Sequence, residues 1–176
     1  MRKLYLPLIV LLALFVFASG VLANPSASKN FVAKLSGANE VPARETPARG
    51  NTFFQLSKDG SILRYKLIVA NISNVTASHI HCAAAGSNGP VGVTLFMGTA
   101  ASGRVNGLLA HGNITAPDTG NGCGWTSLDD VVAAMLSGNA YVNVHTNDGV
   151  APTNTGPGDF PGGEIRGQIS ESGSTR

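Results

Sequence analysis

Several signatures of common chemistry are missing from this sequence: it has no G-x-S-x-G elbow, no phosphate-cradling P-loop, no H-E-x-x-H helix and no C-x-x-C pair. Their absence removes the usual routes to serine hydrolysis, nucleotide chemistry, zinc proteolysis and thiol exchange. Calcium is disfavoured too, because Thr146-Asn-Asp-Gly149 and Gly158-Asp159 lack the spaced carboxylates of a loop site. Charge is scarce and balanced, with 12 Lys and Arg against 10 Asp and Glu. Nothing in that balance steers the chain to nucleic acid or to an acidic membrane.

Long apolar runs occur only at the start. Arg2 and Lys3 form a positive segment, Leu4 to Phe17 an apolar one, and Val21-Leu-Ala23 a small-residue cleavage pattern, together the features of a secretory leader over 1–23. A single-pass anchor is the competing reading. Ser19-Gly20 breaks the run short of the ~20 residues a spanning helix needs. Cleavage near Asn24 would leave one domain, 24–176 with its core over 30–170, secreted or held in the periplasm or cell envelope, and not membrane-bound.

Cysteine is nearly absent. Cys82 and Cys123 are the two in the chain, and in an oxidising compartment they form the default disulfide. It would close about 40 residues and contribute roughly 4 kcal/mol on the chain-entropy account. The alternative is a free thiol serving as a soft metal ligand. Trp125, the single tryptophan, sits between Cys123 and a helix start and reads as a core plug.

Beyond Asn30 the chain consists of short alternating or apolar runs cut by Gly, Pro, Asn and Asp, the texture of an antiparallel all-β domain. Strands are predicted at Phe31–Leu35, Thr52–Leu56, Ile62–Val69, Ala77–Cys82, Val91–Phe96, Leu108–Thr115, Ala140–Thr146 and Gly163–Ile169. Asp59-Gly60 marks a hairpin turn, since that pair tolerates positive φ. Ser127 to Ser137 breaks the alternation with apolar residues at 128, 131, 132, 135 and 136, the spacing of a helix with one buried face. Ser127 with Asp130 resembles a capping box, and Gly138 is a fitting stop. The fold class is thus all-β: an antiparallel β-sandwich of about eight strands with one short crossover helix. The Asn147 to Gly162 loop, rich in Pro, Gly and Asn, would cap one end.

Histidine is rare, with four in the chain, and three fall on predicted strands in telling positions. In Thr76-Ala-Ser-His-Ile-His-Cys82, alternation points His79 and His81 to one face and Ile80 to the other. In Tyr141-Val-Asn-Val-His145, Val142 and Val144 would face the core while Tyr141, Asn143 and His145 share the opposite face. If the two strands are neighbours, His79, His81 and His145 could hold one transition metal, copper or zinc, with a fourth position open. The bland readings are a surface accident or a hydrogen-bonded cluster. Glu164, on a row with Arg166 and Gln168, could orient an imidazole or bind the metal itself; for Arg166 a cross-strand pair with Glu164 is the favoured reading.

Leu35-Ser-Gly-Ala-Asn-Glu-Val-Pro42, Ala77-Ser-His-Ile-His81 with Asn88-Gly-Pro90, and Ala140-Tyr-Val-Asn-Val-His-Thr146 followed by Pro161-Gly-Gly-Glu-Ile-Arg-Gly-Gln168 together resemble the chordin-type (CHRD) domain family. Three motifs in order over residues 30 to 170 make the resemblance specific. It implies a secreted β-sandwich and says little about activity; the expected role is a binding module for an undefined extracellular protein or surface ligand. The cysteine-rich modules that accompany the domain in chordin are absent here, which argues against growth-factor capture. The H-x-H is also similar to the copper side of copper–zinc superoxide dismutases, so a redox enzyme with a dismutase-like sandwich is the alternative. A mononuclear copper variant of that kind would have to recruit His111. The N-x-S/T triplets at Asn71, Asn74 and Asn113 carry weight only in a eukaryotic host.

Overall fold

A computed structural model describes residues 29–173; the expected leader lies outside them. Eight strands are observed: β1 Asn30–Ser36, β2 Arg49–Leu56, β3 Leu63–Ser73, β4 Val75–Cys82, β5 Val91–Met97, β6 Arg104–Ile114, β7 Ala140–Thr146 and β8 Ile165–Glu171, with one α-helix, α1 Leu128–Leu136, and a single 3-10 turn at Gly37–Asn39. Every pairing is antiparallel, in the order β5-β4-β7-β8-β1-β2-β3-β6. The all-β expectation of eight strands and one helix is met. The strands form one continuous sheet rather than two separate ones, and the layers of the sandwich are two halves of that sheet curled over a shared core.

The curl brings the two end strands together without fully zipping them. Tyr65 Oη donates to Leu95 O at 2.6 Å, tying β3 to β5, while the segment after β6 covers the β5 edge through Asp118 N to Gly92 O at 3.0 Å and Gly122 N to Val91 O at 3.1 Å. An edge that would otherwise offer unpaired amides is thereby closed. Cys82 and Cys123 are disulfide-bonded at the same place, so the thiol-ligand alternative falls. Trp125 is half-buried and lies against Gly92, where a side chain on residue 92 would meet its ring. It plugs the rim of the core rather than its centre.

Alternation explains which side chains enter the core. Phe31, Ala33 and Leu35 of β1, Phe54 of β2, and Leu63, Leu67 and Val69 of β3 point inward, joined by Ile80, Val142, Val144, Ile165 and Ile169. Helix α1 closes one opening, packing Val131, Val132 and Met135 against β7 and β8. Its start is the expected capping box, in which Asp130 N donates to Ser127 Oγ and Ser127 N to Asp130 Oδ2. Gly138, at φ 72°, takes the left-handed conformation that ends the helix.

The outer faces of the two halves differ. On β1, β2, β3 and β6 the outward residues are mostly exposed, whereas on β4, β7 and β8 the outward row is itself buried, with Tyr141, Asn143 and Arg166 at 2–3% exposure. Those three strands are interior to the sheet, and loops fold over them. Asn88 Nδ2 donates to Val41 O at 2.7 Å, and the Arg44 guanidinium stands 4.8 Å from the centre of the Phe160 ring. The result is a second, polar buried layer on the far side of the sheet from the apolar core.

Candidate metal centre

His79 and His81 stand on β4 and His145 on its hydrogen-bonded neighbour β7, where Ala77 faces His145 and His79 faces Asn143. The adjacency that the sequence could only pose as a condition is present. All three rings project into the polar layer and lean together, with ring centres 5.0–5.6 Å apart. One ring nitrogen from each lies within 4.8 Å of the others.

Two of the rings are fixed by backbone carbonyls. His81 Nδ1 lies 2.9 Å from Gly89 O, and His145 Nδ1 lies 2.9 Å from Pro161 O. A carbonyl only accepts, so each Nδ1 must carry the proton, which leaves each Nε2 with a bare lone pair. Those two Nε2 atoms and His79 Nδ1 are buried without a hydrogen-bond partner. Burial disfavours the charged form of every ring. It holds His145 down to about 4 against the Pro161 carbonyl, lowers His81 against the Gly89 carbonyl, and lowers His79 against the pull of Asp118. At neutral pH the cluster is three neutral imidazoles.

The ring of His81 is also clamped from the side. Tyr141 stacks on it at 4.9 Å and 11°, and the Arg166 guanidinium covers Tyr141 at 3.9 Å. Gly89 N donates to Tyr141 Oη at 3.2 Å, so one residue fixes both rings of the stack.

The structure corrects two readings of the β8 row. Arg166 does not pair with Glu164; it donates to Asn88 Oδ1 and Ser87 O, both at 2.9 Å, and anchors the loop before β5. Glu164 is not brought to the imidazoles, because its Oε1 accepts from Thr46 Oγ1 at 2.5 Å and its Oε2 from Thr146 Oγ1 at 2.7 Å and Gly158 N at 2.9 Å. Fully buried, it joins three segments, a role the strand pattern could not reveal because Thr46 lies more than a hundred residues away. His111 is exposed on β6 opposite Lys66, on the other half of the sheet, so the four-histidine copper arrangement is not formed.

One buried acid escaped the sequence reading. Glu40, 6% exposed, sits among Arg166, Arg44, Asn143 and Glu164, and its Oε1 has no partner. Burial pushes its carboxyl up to about 7 despite the two guanidinium groups. Its place in the Leu35–Pro42 motif was the available signal.

The CHRD domain model matches residues 31–169, from the first strand to the last. The chain belongs to the CHRD-domain family. Neither the curated proteins nor the solved structures offer a match. All three quoted motifs of the CHRD domain meet at the polar layer: the first supplies Glu40, the second His79, His81 and Gly89, and the third Tyr141, His145, Pro161 and Arg166.

Proposed function

We propose that this CHRD domain is an exported module whose His79, His81 and His145 bind one transition metal ion, copper or zinc. The observation that carries the reading is a cluster in which each ring has one buried nitrogen without a partner and one ring nitrogen of each lies within 4.8 Å of the others. Ring nitrogens buried without partners forgo hydrogen bonds to water, a cost that a cation bound among them would offset. Neutral imidazole is the donor these metals take, and the carbonyls of Gly89 and Pro161 play the orienting part that usually accompanies it. Bonds of ~2.0–2.1 Å would set the nitrogens roughly 3.3 Å apart in a tetrahedral site. With the ring nitrogens already within 4.8 Å of one another, binding would need at most a small inward shift. A bound ion would supply a Lewis-acidic centre; the protein's part is to hold the rings neutral and to fix two tautomers.

Export rests on the leader-like start and on the disulfide, which fits an oxidising compartment. No helix among the described residues is long and apolar enough to cross a membrane.

The test is metal analysis of protein purified without a nickel column, followed by zinc and copper titration. One equivalent in the native protein, lost in His79→Ala and His145→Ala and kept in His111→Ala, is the expected result. No stoichiometric binding of either metal overturns it.

A further inference from the structure

The open half of the sheet carries a surface that the metal reading leaves unused. Across β1, β2, β3 and β6 the register places Val32, Phe53, Lys66 and His111 in one row. The row on one side holds Arg64 between Gln55 and Asn113, and the row on the other holds Lys34 and Asn51, then Ile68 and the exposed Leu108. Side chains directly opposite one another share a face, so all of these project outward together. Among the described residues no carboxylate occupies the three rows, although the chain as a whole is nearly balanced. Overall neutrality hid a one-sided distribution.

The chemistry of the face is specific. Arg64 and Lys66, both exposed, stand two residues apart on β3, roughly 6.8 Å at a rise of ~3.4 Å per residue. Beside them Phe53 is 48% exposed, a large ring on the outer surface of the sheet. Asn30, Gln55, Arg64 and Lys66 line a shallow cleft of about 370 Å³ next to that ring. Cations, an open aromatic face and amides that both donate and accept suit a chain of sugar rings bearing carboxylates: ring on ring, amide to hydroxyl, cation to carboxylate.

Other occupants fit less well. The three rows span about 14 Å by 14 Å, a small fraction of the ~800 Å² per partner of a stable protein interface. The face is built of strands and offers no amphipathic helix to lie in a bilayer interface. The disulfide suits an oxidising compartment, away from nucleic acid.

We propose that the outer face of β1, β2, β3 and β6, centred on Phe53, Arg64 and Lys66, binds an acidic, uronate-bearing polysaccharide. The site is independent of the three imidazoles and sits on the opposite half of the sheet.

The experiment is calorimetric titration of the folded protein with a galacturonate oligosaccharide of about ten units at about 20 mM salt, where screening is weak. Neutral dextran, a single-stranded DNA oligonucleotide and phosphatidylglycerol vesicles are run beside it. Binding of the uronate and not of dextran is expected, weakened at least tenfold in Arg64→Glu/Lys66→Glu. Phe53→Ala should weaken it severalfold while leaving its salt dependence unchanged, and Arg104→Glu, on the same strand as His111 but outside the rows, should leave it intact. These side chains are exposed, so unchanged melting temperatures certify the variants. No uronate binding, equal or tighter binding of DNA or vesicles, or indifference to the double charge reversal overturns the assignment.

Discussion

Glu40 makes the residue scale measurable, because burial holds its carboxyl at about 7 where an unburied glutamate has 4.5. A group whose folded pKa is raised binds a proton in the folded chain that the unfolded chain has already lost. Its contribution is therefore complete below about 4.5 and is lost as pH rises through 7. His145 works the other way: lowered to about 4, it is stabilising above its ordinary 6.5 and loses that contribution as pH falls toward 4. Between about 4.5 and 6.5 the two slopes oppose each other, and above 6.5 Glu40 acts alone. Glu40→Gln should then match the native protein near pH 5 and exceed it near pH 8, by an amount on the order of 3 kcal/mol at most. Urea unfolding at the two pH values reads this directly, and an equal difference at both would exclude it. Gly92 gives a second prediction at this scale. An added methyl group there meets the Trp125 ring and the Cys123 sulfur, so Gly92→Ala should cost about 1–3 kcal/mol in the same assay.

At the scale of elements, alternation and turn residues carried most of the fold. The pattern over Tyr141 to His145 predicts which residues face the core, and Val142 and Val144 are indeed fully buried on that side. Strand ends were less legible: β3 runs on to Ser73 and β6 begins at Arg104, beyond the expected Val69 and Leu108, because bulges let those partners continue past the alternating stretch. The histidine triad was readable for a local reason, since H-x-H on a strand fixes a shared face, while its junction with His145 needed strand order. What no local pattern shows is the cover over β4, β7 and β8, which depends on contacts such as Arg166 to Asn88 and Glu164 to Thr46. Helix α1 lies between these cases, being short and specified mainly by its ends. Ser127→Ala should remove the bond to Asp130 N and cost about 1 kcal/mol without changing metal content, checked by thermal melts and metal analysis together.

For the whole molecule the two buried layers make different demands on stability. The apolar core and the disulfide hold the sheet closed, whereas the polar layer contains buried atoms without partners: the three imidazole nitrogens, Asn143 Oδ1 and Glu40 Oε1 among them. Each such atom gives up hydrogen bonds to water that the unfolded chain keeps. An ion bound only by the folded chain stabilises it by RT ln(1 + [L]/Kd), about 2.7 kcal/mol when the free metal is a hundredfold above Kd. The melting temperature should therefore rise with zinc or copper in the native protein. The rise should vanish in His79→Ala, persist in Arg64→Glu/Lys66→Glu, and disappear as acid protonates the rings. Protons compete for the same lone pairs, and the lowered pKa values of all three rings place that loss below the pH at which free histidines stop binding metal. A melting temperature indifferent to both metals at neutral pH would leave the orphaned nitrogens unexplained and remove the ion from the account of this fold.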